Sequence, residues 1–84
     1  MNFVTGGTGL IGSHLLFKLV NDGQNVRALF RSKSSINNTQ LIFNYYNKPD
    51  LFERIEWVEG DILDANLTYE QIKGCNNVFH CAAI

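Results

Sequence analysis

The stretch Val4-Thr5-Gly6-Gly7-Thr8-Gly9-Leu10-Ile11-Gly12 decides how this 84-residue chain folds. An extended, apolar segment over residues 2–5 runs into glycines spaced three apart, and a helical pattern opens near Leu10. This order of strand, glycine turn and helix is the one that holds a dinucleotide pyrophosphate. The first N–H groups of the helix lack intrahelical partners and the helix dipole is positive there, so the expected ligand is an anion.

The spaced glycines have separate expected roles. Gly6 turns the chain sharply as it leaves the strand, and Gly9 lets backbone N–H groups approach phosphate oxygens without a Cβ in the way. Gly12 lets the helix pack closely on the sheet. The predicted cofactor-binding residues of this stretch are Gly6, Thr8, Gly9, Leu10, Ile11 and Gly12.

The helix that follows the turn is predicted to be amphipathic. Its apolar stripe, which must face a sheet, consists of Ile11, Leu15, Leu16, Leu19 and Val20. Polar residues fall mostly on the other side, namely Ser13, His14, Lys18 and Asn21. Gly23 stands where a left-handed helix cap is expected, and residues 26–30 predict a second strand. Because such strand–helix–strand connections are right-handed and parallel, the glycine turn is expected at the carboxyl edge of the sheet, beside the end of strand two.

The remainder of the chain continues the alternation of strands and helices. We predict a loop at 31–38, a helix at 39–46, a short turn at 51–54, a third strand at 55–59, a helix at 68–73 ended by Gly74, and a fourth strand at 77–82. The pattern is that of a single α/β unit with a parallel sheet.

Composition and charge exclude several classes of protein. A hydrophobic content of 45% and a charged content of 18% are those of a folded globular chain. A net charge of −1 argues against general binding to nucleic acids or anionic membranes. No apolar run approaches the roughly 18 residues of a membrane span and no secretion signal is evident, which predicts an intracellular, cytoplasmic protein. Cys75 and Cys81 are too far apart along one extended segment for a disulfide and are predicted to be reduced, buried thiols.

Four motifs in order resemble those of the extended short-chain dehydrogenases/reductases. They are Thr5-Gly6-Gly7-Thr8-Gly9-Leu10-Ile11-Gly12-Ser13-His14-Leu15, Arg31 after strand two, Gly60-Asp61-Ile62-Leu63-Asp64, and Val78-Phe79-His80-Cys81-Ala82-Ala83. Members of that family include nucleotide-sugar epimerases and dehydratases, dihydroflavonol-type reductases and hydroxysteroid dehydrogenases, which use NAD or NADP on a Rossmann sheet. The resemblance implies a partial Rossmann sheet of about four strands, in the order 3-2-1-4, with helices on both faces. It also implies that residues 1–84 are the amino-terminal part of the NAD(P)-binding domain, with the rest of that domain and the substrate region absent.

The residues after strand two predict which dinucleotide binds. An NAD site usually places an acidic residue about 20 positions beyond the glycines, where it accepts hydrogen bonds from ribose hydroxyls. This chain has Arg31, Ser32 and Lys33 in that neighbourhood. A guanidinium binds a 2′-phosphate through a bidentate, charge-assisted pair, so NADP(H) is predicted, with Arg31 as the main contact and Ser32 or Lys33 assisting. The alternatives are NAD as the cofactor, and basic residues that only solvate a loop.

The resemblance extends the site to two further strand ends. It places Asp61 and Ile62 near the adenine, with Asp61 accepting a hydrogen bond from the exocyclic amine. A loop or helix cap is the alternative role for Asp61. It places Cys81, Ala82 and Ala83 along the inner ribose of the cofactor, where small side chains leave room for the dinucleotide.

A Tyr-x-x-x-Lys pair, Tyr69 and Lys73, has the catalytic spacing of the family but is rejected as a catalytic site. It lies on the helix between strands three and four, whereas the family's pair follows strand five, beyond residue 84. An ordinary exposed pair at helical spacing is predicted instead.

The two histidines, the two cysteines and the tyrosines at 45 and 46 are predicted to have no catalytic or metal-binding role. His14 is predicted to be solvated and His80 to be a satisfied core residue. His80 and the two cysteines lack the close paired spacing of structural zinc sites, so no metal is predicted. Tyr45 and Tyr46 are predicted to pack the second helix.

The sequence therefore predicts the NADP(H)-binding half of an oxidoreductase, a reductase or a nucleotide-sugar epimerase/dehydratase, that acts on a small-molecule substrate. A non-catalytic NADP-binding sensor or scaffold of the same fold is the first alternative, and an inactive truncation product is the second. No turnover is expected from residues 1–84, since they contain no plausible tyrosine base. An unpaired, apolar edge of strand four would favour self-association through that strand.

Overall fold

The computed structural model describes residues 1–61 and 63–81. Its strands are β1 (Asn2–Thr5), β2 (Val26–Phe30), β3 (Ile55–Glu59) and β4 (Asn77–His80), and its α-helices are α1 (Leu10–Asn21), α2 (Ile36–Tyr45) and α3 (Ala65–Ile72). The strands form one parallel sheet in the order β3-β2-β1-β4, which confirms the predicted topology. Self-association through β4, at one end of this sheet, stays a prediction.

One face of the sheet carries the main core. Val4 of β1 is in register with Ala28 of β2 and Phe79 of β4, and Ala28 is in register with Trp57 of β3. Side chains of α1 and α2 cover this row, and the core includes Val4, Leu16, Phe17, Leu19, Val20, Val26, Ala28, Phe43 and Ile55. The apolar stripe predicted for α1 therefore faces the sheet through Leu16, Leu19 and Val20, whereas Ile11 is 77% exposed.

The third helix lies on the opposite face of the sheet. Arg27 directly precedes Ala28, and successive side chains of a strand point to opposite faces. The Arg27 guanidinium donates from Nη1 to the carbonyl of Gln71, at the end of α3, over 2.7 Å. Its Nε donates to Glu56 of β3 over 2.6 Å, and this hydrogen bond raises the pKa of Arg27 above its usual value. The predicted placement of helices on both faces is thus correct.

The boundaries of α2 and α3 differ from the predictions. The predicted loop at 31–38 contains a 3-10 turn, Lys33–Ser35, and α2 begins at Ile36 instead of Thr39. Serine and asparagine favour turns and caps, so a polar run at a helix start resembles a loop in sequence. The third helix likewise begins three residues earlier than predicted, at Ala65, and Gly74 follows it with a φ of 86°. The predicted turn at 51–54 is part of a 3-10 helix, Pro49–Arg54.

Several predicted packing roles are corrected by the contacts around α2. Tyr46 stacks on Phe17 with ring centroids 4.2 Å apart, as expected of a packing residue, but Tyr45 is 75% exposed. His14 is hydrogen-bonded rather than only solvated, since its Nδ1 lies 2.9 Å from the Tyr46 hydroxyl. Cys75 and Cys81 are free thiols, but both are half-buried rather than buried.

Candidate functional site

The glycine turn between β1 and α1 is shaped by backbone contacts. Gly6 has a φ of 70°, so it makes the predicted sharp turn in a conformation that favours glycine. The Gly9 N–H donates to the Gly6 carbonyl over 3.1 Å. A Cβ on Gly12 would lie 2.0 Å from that same carbonyl oxygen. The close approach that requires Gly12 is therefore to the turn itself and not, as predicted, to the sheet.

A cavity of about 500 Å³ opens beside this turn at the carboxyl end of the sheet. It is lined by Gly6, Thr8, Gly9, Leu10, Ile11, Gly12 and Cys81, all of them residues predicted to bind the cofactor. Gly9 is the N-cap of α1, and within the described part of the chain no side chain caps this helix end. The first N–H groups of α1 are thus available to an anion, while Leu10 and Ile11 present exposed apolar side chains.

The end of β4 reaches the turn through contacts with β1. The Cys81 N–H donates to the Thr5 carbonyl over 3.0 Å, which brings Cys81 to the wall of the cavity. The buried Thr5 hydroxyl lies 2.6 Å from Nδ1 of His80. The prediction for His80 is thus half correct, because its ring nitrogen is satisfied but the residue is exposed instead of lying in the core.

The ends of β2 and β3 bring Arg31 and Asp61 together. The Gly60 N–H donates to the Phe30 carbonyl over 3.0 Å, so the residues that follow leave the sheet side by side. Nε of Arg31 lies 3.8 Å from Oδ2 of Asp61, and the other carboxylate oxygen, Oδ1, accepts from the Leu63 N–H over 3.0 Å. Asp61 therefore also shapes its loop, as in its alternative role.

Of the remaining residues predicted to bind the cofactor, two lie in the turn after β2 and three lie outside the described residues. Lys33 begins the 3-10 turn that follows β2, and the Ser32 hydroxyl lies 3.0 Å from that of Ser34. Ile62, Ala82 and Ala83 lie outside the described residues.

Two buried hydroxyls behind the turn were missed by the sequence analysis. Ser13 of α1 and Thr39 of α2 both donate to the Gly7 carbonyl, over 2.9 and 2.7 Å, and their oxygens are 3.1 Å apart. They are 1% and 0% exposed, so the placement of Ser13 on the polar side of α1 was wrong. The available signal was a threonine four positions before Phe43, on what would otherwise be an apolar helical stripe.

The rejected candidates lie away from the cavity. Tyr69 is 68% exposed on α3, and the Lys73 carbonyl is 3.5 Å from Nη1 of Arg27 on the opposite face of the sheet from α1. Across residues 1–61 and 63–81, no three His, Cys, Asp or Glu side chains cluster as metal ligands. The helices described in this chain are too short or too polar to cross a bilayer.

Comparison with known proteins places the chain in a family. The model of a protein family described as GDP-mannose 4,6 dehydratase matches residues 3–84. A Synechocystis sp. protein named "Putative dihydroflavonol 4-reductase" is 43% identical over 81 residues, which are 96% of this chain and 20% of that protein. The dihydroflavonol 4-reductase of Zea mays is 33% identical over 79 residues, or 94% of this chain and 21% of that enzyme.

Solved structures agree with this placement. The vestitone reductase of alfalfa superposes with a TM-score of 0.71 at 27% identity, over 98% of this chain and 24% of that one. The chain thus spans about a fifth of the length of the curated relatives it matches. It belongs to the GDP-mannose 4,6-dehydratase family of NAD(P)-dependent epimerases, dehydratases and reductases, within the extended short-chain dehydrogenases/reductases whose motifs it carries.

Proposed function

We propose that this chain forms the NADP(H)-binding part of an oxidoreductase that reduces or oxidises a small organic substrate. The cavity at the carboxyl end of the sheet carries the proposal. Its walls combine backbone, small residues and two exposed apolar side chains. It lies against the first turn of α1, which no side chain of the described residues caps. A pyrophosphate fits these walls because N–H groups and the helix dipole favour negative charge, whereas a bulky or charged wall would exclude it.

The Gly9 position supports close approach of a phosphate. A Cβ there would meet only the Gly6 carbonyl, at 3.4 Å, so the fold itself tolerates a side chain at this position. Packing within the protein therefore does not explain the glycine. Glycine at this position instead leaves room on the open side of the turn, where a phosphate oxygen would approach the backbone. Cys81, directly after β4, lines the same cavity. Its wall is the one to which the resemblance assigns the inner ribose.

The charge beside β2 favours NADP(H) over NAD(H). The Arg31 side chain is 81% exposed, and its 3.8 Å ion pair with Asp61 is longer than a hydrogen bond. The guanidinium N–H groups thus remain accessible to a 2′-phosphate, and no acidic side chain occupies residues 30–33 at the end of β2. The reductase names of the similar proteins favour reduction of a carbonyl over epimerisation.

Hydride exchange is the chemistry that the nicotinamide supplies when the dinucleotide is bound. The residues of this chain bind and orient the cofactor. The α1 N-terminus receives the pyrophosphate, Arg31 the 2′-phosphate, and Asp61 the adenine amine, as the resemblance implies. The bond from the Cys81 N–H to Thr5 sets the distance between the glycine turn and the wall that β4 contributes.

Calorimetric titration of the protein with NADP⁺ and NAD⁺ tests this function. We expect Arg31→Ala to weaken NADP⁺ binding about ten- to a hundredfold, since a hydrogen bond to a charged group contributes roughly 1.5–3 kcal/mol, and to leave NAD⁺ binding unchanged. Arg54→Ala is the matched control, because Arg54 is an exposed arginine at the amino-terminal end of β3 and makes the same change of charge.

Two results would contradict the assignment. Equal affinity of the wild-type protein for NAD⁺ and NADP⁺ would remove the preference for NADP(H). An Arg31→Ala protein that binds NADP⁺ as tightly as the Arg54→Ala control would show that Arg31 only solvates its loop.

A further inference from the structure

The Gly7 carbonyl is held by two helices at once. It accepts hydrogen bonds from the hydroxyls of Ser13 on α1 and Thr39 on α2, over 2.9 and 2.7 Å. Both residues are almost completely buried. A buried hydroxyl without a partner is costly, and valine has the same branched shape without a hydroxyl to satisfy. The threonine is therefore explained by its bond to the turn and not by packing alone.

The bond to Gly7 fixes the orientation of the next N–H group. The described peptide bonds are trans, and in a trans peptide the carbonyl and the N–H point in opposite directions. Because the Gly7 oxygen points inward to Ser13 and Thr39, the Thr8 N–H points away from them. Thr8 lines the cavity of about 500 Å³ and also a neighbouring one of about 290 Å³. The Thr8 N–H is thus directed away from the two buried hydroxyls, in a residue that borders both cavities.

We propose that Thr39, assisted by Ser13, is a positioning residue that holds the Gly7–Thr8 peptide so that its N–H faces the phosphates of the dinucleotide. The proposal rests on the proposed function, because it assigns a ligand to this side of the turn. Thr39 does not line either cavity and acts through Gly7. Its hydroxyl also joins α2, which follows the segment of Arg31, to the glycine turn, so this contact links the two proposed anion-binding parts of the site.

Paired substitutions at Thr39 separate positioning from packing. Thr39→Val keeps the branched shape and removes the hydroxyl, whereas Thr39→Ser keeps the hydroxyl and removes a buried methyl group. We expect Thr39→Val to weaken NADP⁺ binding about tenfold and Thr39→Ser to stay within about twofold of the wild type, even though the loss of its methyl group lowers stability. Calorimetric titration gives the affinities, and urea unfolding of the same samples gives the stabilities.

Two outcomes of these titrations would overturn the proposal. One is wild-type affinity in Thr39→Val, and the other is an affinity that falls in both variants in proportion to their loss of stability. If Thr39→Val does not fold, Ser13→Ala replaces it, and unchanged NADP⁺ affinity in that variant overturns the proposal as well.

An NMR measurement of the Thr8 amide tests the positioning role without ligand, and therefore independently of the proposed function. In ¹⁵N-labelled protein without ligand, we expect this resonance to shift in Thr39→Val and to stay near its wild-type position in Thr39→Ser. An unshifted Thr8 amide in Thr39→Val would overturn the positioning role whether or not NADP⁺ binds. Failure of the wild-type protein to bind NADP⁺ would instead overturn the proposed function.

Discussion

The two ends of the parallel sheet are both polar, but they use their polar groups differently. At the amino-terminal end, Nδ2 of Asn2 donates to the Gln24 side chain and the Asn25 carbonyl, and Oδ1 of Asn2 accepts from Asn77. Asn2 is only 4% exposed. At the carboxyl end, the first turn of α1 lacks a side-chain cap among the described residues and lies against an open cavity. Arg31, after β2, is largely exposed. The first end satisfies its donors within the protein, whereas the second leaves donors exposed at the place where we propose that the dinucleotide binds.

This difference follows from the direction of the strands. In a parallel sheet all carboxyl ends meet at one edge, so the loops that carry Gly6, Arg31, Asp61 and Cys81 gather there without being near in sequence. The opposite end of the sheet receives the strand starts and the connections that lead into them, and side chains such as Asn2 and Asn77 pair there across adjacent strands. A polar group is therefore informative about function only together with what satisfies it.

The largest effect on stability and binding is expected from a substitution that introduces a steric clash within the glycine turn, at the carboxyl end of the sheet. Gly12→Ala places a Cβ against the Gly6 carbonyl, where a methyl group cannot fit without backbone movement. We expect the free energy of unfolding to fall by about 3 kcal/mol and NADP⁺ binding to be lost. Urea denaturation and calorimetric titration measure the two effects. Unchanged stability would show that the turn is not as tightly packed as the structure has it.

A smaller loss is expected at the amino-terminal end. Asn2→Ala removes three side-chain hydrogen bonds and leaves the Gln24 and Asn77 side chains without this partner. We expect the free energy of unfolding to fall by about 2 kcal/mol and the affinity of the folded protein for NADP⁺ to stay within twofold. The control is Asn25→Ala, since Asn25 contributes its backbone carbonyl to the network. A loss of affinity in Asn2→Ala without a loss of stability would contradict the separation of the two ends.

The smallest loss of stability is expected at Gly9, which lies in the same turn as Gly12 but is less tightly packed. Gly9→Ala introduces a Cβ that the fold accommodates, because its nearest neighbour lies at 3.4 Å. Alanine is a clearly poorer N-cap than glycine, so the free energy of unfolding should fall by about 0.5–1 kcal/mol. The affinity for NADP⁺ should fall about fivefold, or ~1 kcal/mol, since the methyl group meets the approaching phosphate. Tighter or equal binding would place the phosphate elsewhere on the turn.

Local patterns predicted most of the elements. The ranges of β1, β2 and β3 agree with the predicted strands because each is a short apolar or alternating run bounded by turn residues. The starts of α2 and α3 were missed because serine, asparagine and aspartate favour loops and helix caps about equally in sequence. Ser13 was misplaced because helical periodicity records a residue's angle around α1 and contains no information about which helix packs beside it.

For this protein, the sequence alone determined the strand–turn–helix order, the parallel strand order of the sheet, and the set of residues around the glycine turn. These depend on local conformation and on chirality, which are encoded within a few residues or one crossover. Only the tertiary structure decided that Gly12 packs on Gly6, that Arg31 lies beside Asp61, and that Thr39 holds Gly7. The last two contacts join segments that are distant in sequence, and the first depends on the exact path of the turn. All three distances depend on how the backbone and the helices pack on the sheet, which no local pattern specifies.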